Sequence, residues 1–132
     1  MSEQVVVRGP GEGRTLLVGG GDYVTYKTRS DETGGAYFCF EVSTTPGFGP
    51  PLHTHAYREL FYVLDGEYEF TLQRGDELET IVATAGTSIS VPPNVPHTFK
   101  NATEGTVSSW ISPCSSRSAT AARIRWRVSS AC

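Results

Sequence analysis

The three histidines of this 132-residue chain lie in two short segments rich in glycine and proline. In the first segment His53 and His55 are two residues apart, and Glu59 follows four residues later. Side chains alternate between the faces of a strand, so these three groups share one face if a strand continues through them. The second segment carries His97, which can bring a third imidazole from a different strand.

Three imidazoles and a carboxylate are typical ligands of one divalent transition metal, such as Fe, Mn, Co, Ni, Cu or Zn. Three neutral ligands and one anion leave positive charge on the ion, which attracts an anionic substrate and lowers the pKa of bound water. Four protein ligands on a six-coordinate ion leave room for a bidentate substrate, or for a substrate and dioxygen. The alternative interpretation is that these histidines are ordinary core or surface residues.

Short runs of β-forming residues must position these groups. The predicted strands are residues 23–27, 36–42, 59–64, 68–72, 78–83, 88–91, 97–101 and 107–112. Turn signals about every 8–12 residues, without a convincing helical stripe, predict an all-β sandwich or barrel. The apolar strand before Asp65-Gly66 and the alternating strand after it indicate a β-hairpin.

A chain of this length folds as one domain. We divide it into a glycine-rich arm over residues 1–22, a barrel over 23–113 and a basic tail over 114–132. Within the tail, arginines alternate strictly with apolar residues over residues 123–128. This alternation has two interpretations, a further strand or a frayed basic tail.

Charge and composition exclude several classes of partner. Residues 105–132 carry four arginines and no acid, whereas residues 1–104 carry 7 basic and 14 acidic side chains. The net charge of −3 is too small to indicate nucleic acid as a partner. No apolar run approaches the ~18 residues of a membrane span, which argues against a membrane partner. The absence of a secretory signal favours a cytoplasmic protein. The odd number of cysteines predicts free thiols at Cys39, Cys114 and Cys132.

The two histidine segments resemble the two motifs of the cupin family. The first motif is Gly, five residues, His-x-His, three or four residues, Glu, six residues and Gly, which here are Gly47, His53, His55, Glu59 and Gly66. The second motif is Gly, five residues, Pro-x-Gly, two residues, His, three residues and Asn, which here are Gly86, Pro92, Asn94, His97 and Asn101. Asn94 stands where the motif has its second glycine. This departure is mild, because asparagine tolerates positive φ better than other non-glycine residues.

The resemblance covers roughly residues 30–113 and implies the cupin double-stranded β-helix, a jelly-roll barrel that usually forms a homodimer. It also implies that His53, His55, Glu59 and His97 are the metal ligands. The resemblance ends after Ser112-Pro113, because such cupins usually continue there with glycine and a short helix.

Strand parity adds candidate walls for a substrate pocket. Phe61 and Val63 share the face of Glu59, and Phe99 shares the face of His97. One of two alternating sets on the strand over 36–42 must also face inward. The predicted pocket residues are Phe61, Val63, Phe99, Phe38 and Phe40.

Aromatic walls around a metal suit a planar, apolar small molecule. We therefore expect a dioxygenase that acts on an aromatic or enol-type substrate, as the quercetinase-like cupin subgroup implies. That resemblance also suggests that Glu59 acts as a catalytic base. Two alternatives stay open. One is a Zn-dependent isomerase or polyketide cyclase-like cupin, and the other is a non-catalytic cupin that binds a small ligand.

Overall fold

β-Strands make up nearly all the regular structure of the chain. The structure, a computed structural model, describes residues 3–18, 22–103 and 122–129. The strands in these ranges are β1 (Thr15–Leu17), β2 (Tyr23–Thr28), β3 (Tyr37–Thr44), β4 (Arg58–Asp65), β5 (Glu67–Arg74), β6 (Glu77–Thr84), β7 (Ser88–Val91), β8 (His97–Asn101) and β9 (Ala122–Ser129). One 3₁₀ turn, Ser30–Glu32, lies between β2 and β3. Within these ranges no helix has the length and hydropathy that a membrane crossing requires.

Two antiparallel sheets form a jelly-roll-like sandwich, which is the predicted fold class. The larger sheet has the order β1-β2-β3-β9-β4-β7, and the smaller sheet has the order β6-β5-β8. Seven of the predicted strands are present in the described residues, each within two residues of its predicted bounds. The predicted strand over 107–112 lies outside the described residues. The short strand β1, in the segment predicted as an arm, was not predicted.

The turn at Asp65-Gly66 connects the two sheets, so the predicted hairpin there is wrong. β4 pairs with β7 and β9, whereas β5 pairs with β6 and β8. Gly66 has a φ of 78° and lets the chain leave one sheet and enter the other. An Asp-Gly pair signals a tight turn but does not specify which strands pair. The hairpin forms instead between β5 and β6, where Arg74 pairs with Glu77.

Strand β9 lies inside the larger sheet. Its backbone pairs with β3 on one side and with β4 on the other. Trp126, for example, is paired with Phe40 of β3 and with Phe61 of β4. Of the two interpretations of the alternating arginines, the strand is therefore the one that the backbone adopts.

The inner faces of the sheets carry the core. On β4 the burial alternates: Glu59, Phe61 and Val63 are buried, whereas Leu60 and Tyr62 are exposed. The main core consists of Phe61, Val63, Tyr68, Phe70, Ala83, Ile89, Val91 and Phe99. A second cluster contains Val24, Phe40 and Val42, with Tyr26 and Phe38 packed against it. Of the two sets on β3, the set of Phe38, Phe40 and Val42 is therefore the one that faces inward.

Asn94 has the backbone conformation that the glycine of the motif would provide. Its φ is 63°, the only positive φ of a non-glycine residue in the part of the chain that the structure describes. In this conformation the backbone N–H of Asn94 donates a 2.6 Å hydrogen bond to the backbone carbonyl oxygen of His55. The turn before β8 is thereby tied to the segment that carries the first two histidines.

We predict that Asn94→Val destabilises the fold by about 1–2 kcal/mol, because a left-handed conformation places Cβ close to the following carbonyl oxygen. Asn94→Gly is the matched control, since glycine adopts the same φ without that clash, and its effect should stay within about 1 kcal/mol. Urea unfolding of the three proteins measures the difference. Equal stability of Asn94→Val and Asn94→Gly would contradict this assignment.

Candidate metal centre

The two histidine segments are joined by backbone hydrogen bonds. The His53 amide donates to the His97 carbonyl oxygen at 3.1 Å, and the His97 amide donates to the His53 carbonyl oxygen at 3.0 Å. This pair of hydrogen bonds is the ladder element of two antiparallel strands. A residue 44 positions earlier in the sequence is thus fixed beside the first residue of β8.

The chain that leads to His53 runs along β8. The backbone N–H of Gly47 donates to the backbone carbonyl oxygen of Asn101, and the backbone N–H of Asn101 donates to the backbone carbonyl oxygen of Phe48. Gly49 approaches β8 so closely that an added Cβ would lie 1.8 Å from the Phe99 carbonyl oxygen. Only glycine fits there without a shift of backbone.

The buried side chain of Asn101, the last residue of the second motif, fixes the start of the segment that leads from β3 to His53. Its Nδ2 donates to the Thr44 carbonyl oxygen at 2.6 Å, and its Oδ1 accepts from the Thr103 amide at 2.9 Å. Asn101 thus connects the end of β3 to the end of β8. Its role in the site is to position the backbone that carries the histidines.

The four predicted ligands, His53, His55, Glu59 and His97, converge at one point, and this group is called the cluster below. Glu59 comes from the start of β4, His97 from the start of β8, and His53 and His55 from the segment before β4. Their candidate ligand atoms all lie within 4.8 Å of one another. Nε2 of His55 and Nε2 of His97 each lie 3.0 Å from Glu59 Oε1.

Backbone carbonyl groups determine which nitrogen of two imidazoles carries the proton. Nδ1 of His53 lies 2.6 Å from the Pro51 carbonyl oxygen, and Nδ1 of His97 lies 2.7 Å from the Val95 carbonyl oxygen. A carbonyl oxygen only accepts, so each Nδ1 must carry a hydrogen and donate it. In a neutral ring Nε2 then presents its lone pair to the cluster, as a metal ligand does.

This protonation pattern favours a cation in the cluster. The lone pair of a neutral His97 faces a carboxylate oxygen of Glu59, and both atoms are hydrogen-bond acceptors. The contact is favourable only if a proton or a metal ion lies between them. Glu59 Oε2 is also buried, and it has no hydrogen-bond partner in the part of the chain that the structure describes. A buried acceptor without a partner is the kind of group that a bound ion satisfies.

The pKa directions agree with this electrostatic pattern. Burial disfavours the charged form of His97, but the hydrogen bonds to Glu59 and to the Val95 carbonyl group outweigh burial and raise the pKa of His97. Burial lowers the pKa of His55, because the attraction of Glu59 does not compensate for desolvation. The carboxylate thus favours a positive charge on His97, at the buried end of the cluster.

The residues fit a transition metal ion. Ligands at ~2.1 Å from an ion are separated by at most ~4.2 Å, so the cluster needs only a small contraction to close around one. Glu59 and His97 are almost fully buried, with 1% and 2% of their surfaces exposed, whereas His53 and His55 are half-buried. The cluster therefore has a dry side and a side next to solvent.

The predicted pocket residues lie mostly in the core next to this cluster. Phe61 packs edge-on against His97, with ring centroids 6.0 Å apart, and Phe99 packs against Phe61 at 5.7 Å. Val63 is fully buried. Phe40 is buried in the hydrophobic group with Val24 and Val42, and Phe38 is half-buried. Their contact with a substrate stays a prediction.

Sequence reasoning missed two contributions to the site. The carbonyl oxygens of Pro51 and Val95 are backbone groups, which no residue type reveals. Tyr57 stacks on His55, with ring centroids 4.7 Å apart and an interplanar angle of 9°. Its even offset from His55 was the available signal, because strand parity places both on one face.

Solved structures with the same fold include proteins of several kinds. An RmlC-like cupin from Shewanella frigidimarina is 18% identical to this chain, with a TM-score of 0.69. The match covers 99% of this chain and 96% of the Shewanella protein. An oxalate oxidase is 19% identical and covers 91% of this chain, with a TM-score of 0.66. Hydroxypropylphosphonic acid epoxidase from S. wedmorenis is 18% identical and covers 95%, with a TM-score of 0.67. This chain spans only 56% and 59% of those two proteins.

A comparison with curated protein sequences finds no match. The family described as the cupin domain matches residues 40–112, which is more than half of the chain and includes both histidine segments. Together with the jelly-roll-like fold, this match identifies the chain as a member of the cupin family.

Proposed function

We propose that this cupin is a metal-dependent dioxygenase that acts on an aromatic or enol-type small molecule. The observation that carries the proposal is the buried carboxylate of Glu59, which faces the Nε2 atoms of two imidazoles and can be held with them by one cation. His53, His55, Glu59 and His97 are the proposed ligands of one ion. A redox-active ion there, Fe, Mn, Ni or Cu, would supply oxygen chemistry at its open positions.

Glu59 is the proposed catalytic base. Its Oε1 is engaged by His55 and His97, while its Oε2 is buried and without a partner among the described residues. In this role Glu59 would leave the ion transiently, and its carboxylate would then accept a proton from an enol hydroxyl group. Core side chains such as Phe61 exclude water behind the carboxylate, which strengthens these interactions.

An apolar cleft beside the cluster supports a small apolar substrate. Its volume is about 440 Å³, and its apolar walls are Leu72, Ile81, Ile89, Val91, Pro92 and Val95. Val91 is paired with Glu59, and Leu72 is paired with His97, so two residues of the cleft are strand neighbours of the proposed ligands. Pockets for small ligands are typically apolar and about 300–1,000 Å³ in volume.

Two proteins of the same fold are named as an oxidase and an epoxidase, which is consistent with oxidative chemistry on this scaffold. The rival function follows from the ion. With Zn, which has no redox chemistry, the same ligands favour an isomerase or a polyketide cyclase-like activity. The same cluster and cleft also allow a cupin that binds a small ligand without turnover. The homodimer implied by the resemblance stays a prediction.

We predict that His53→Ala and His97→Ala each lose most of the bound metal, because each removes one of four ligands. Glu69→Gln, which changes a partly exposed carboxylate on β5, is the control and should keep the wild-type amount. Elemental analysis of untagged protein measures the metal, and circular dichroism confirms folding. Full metal content in both folded histidine variants would overturn the ligand assignment.

We predict oxygen consumption when protein loaded with Fe, Mn, Ni or Cu is mixed with a panel of flavonols and other enols. Glu59→Gln should reduce turnover about 100-fold or more at matched metal loading, because a general base contributes about 10²–10⁴-fold. An oxygen electrode follows the reaction. No consumption with any of these ions would defeat the dioxygenase for those substrates, and unchanged turnover of Glu59→Gln would defeat the base.

A further inference from the structure

The three imidazoles of the cluster are not held in the same way. His53 and His97 each donate Nδ1–H to the carbonyl oxygen two residues earlier. Among the described residues, the Nδ1 of His55 has no such carbonyl acceptor, and the polar contact of its ring is from Nε2 to Glu59. His55 is also far more exposed than His97, at 26% against 2% of the side-chain surface. Rotation of the His55 ring is thus restrained neither by a backbone hydrogen bond nor by full burial.

The ring of Tyr57 adds a parallel stacking contact to the edge-on and tilted contacts that the His55 ring makes with His53 and His97. The two rings are nearly parallel, at an interplanar angle of 9°, and their centroids are 4.7 Å apart. A stacked neighbour opposes rotation of the imidazole about χ2, because a rotated ring would collide with the face of the phenol.

Tyr57 is itself supported from behind. Phe38 packs against it in a T-shaped contact with centroids 6.1 Å apart. Phe38 is stacked on Phe40, with centroids 5.6 Å apart at 8°, and Phe40 belongs to the buried cluster with Val24 and Val42. A continuous series of rings therefore connects the half-exposed ligand to the core of the larger sheet.

We propose that Tyr57 is a positioning residue, whose ring holds the His55 imidazole in the orientation that aims Nε2 at the metal. The proposal rests on the proposed metal site, and it assigns to the ring of Tyr57 the role that carbonyl oxygens have for the other two histidines. The hydroxyl group of Tyr57 has no part in it. The proposal also explains how a half-buried ligand without a backbone acceptor keeps its orientation.

The first experiment compares Tyr57→Leu with Tyr57→Phe. Replacing residues that orient metal ligands typically weakens metal affinity by about 10–100-fold, so we expect a loss of about 10-fold for Tyr57→Leu. Tyr57→Phe keeps the stacked ring and should bind like wild type. Tyr62→Leu makes the same change at a tyrosine that is 45% exposed on β4, and serves as the control. Competition titration with Co²⁺ measures affinity in all four proteins.

Two further measurements separate positioning from a general effect on folding. The nitrogen hyperfine pattern of bound Cu²⁺ in electron paramagnetic resonance should change from three nitrogens to two in Tyr57→Leu. In the His55→Ala background Tyr57→Leu should cause no further loss of affinity, because the ligand that it orients is absent.

The proposal is overturned by wild-type metal affinity in Tyr57→Leu, or by equal losses of affinity in Tyr57→Phe and Tyr57→Leu. It is also overturned if Tyr57→Leu lowers metal affinity as much in the His55→Ala background as in the wild-type background. Failure of the metal site itself gives a different result, since wild-type protein would then bind no Co²⁺ in the same titration.

Discussion

The site depends on one electrostatic constraint, a buried carboxylate that faces an imidazole whose Nδ1 hydrogen is already donated to a backbone carbonyl group. Glu59 is 1% exposed, and the neutral form of His97 can offer it only a lone pair. An uncompensated buried anion costs several kcal/mol, so a positive charge in the cluster stabilises this arrangement. The raised pKa of His97 favours a proton there, and a metal ion held by all four groups would supply the same charge. The geometry of the cluster therefore suits a cation.

The backbone enforces this constraint before any side chain acts. Reciprocal hydrogen bonds between His53 and His97 fix the two segments side by side, and the close approach of Gly49 to Phe99 leaves no room for a displaced loop. The left-handed Asn94 adds a third connection through the His55 carbonyl group. Because these contacts are made by backbone atoms, side-chain substitutions near the cluster can change metal affinity without moving the segments. The tests of His53, Glu59 and Tyr57 are interpretable for this reason.

Local rules predicted what depends on local geometry. Period-two parity placed Glu59, Phe61 and Val63 on one buried face, and motif spacing selected the four groups that converge. Rules of this kind failed where the answer depends on distant partners. The Asp65-Gly66 turn looked like a hairpin, but strand pairing is decided by which faces must be buried across both sheets. The alternation over 123–128 indicated a strand, yet its place between β3 and β4 follows from residues about 60 to 90 positions away, beyond any sequence period.

The imidazoles of the cluster are held by different means that do not follow burial alone, because His53 is half-buried like His55 yet donates Nδ1–H to a carbonyl oxygen. On the dry side, burial and strand register already fix Glu59 and His97, and a carbonyl group completes the orientation of the imidazole. On the solvent side, His55 precedes the first paired residue of β4, so register alone does not fix its ring. An aromatic neighbour backed by the core can restrain such a ligand while leaving that side open. Open access matters there, because an ion and the ligands that complete its coordination must enter where the cluster is least buried.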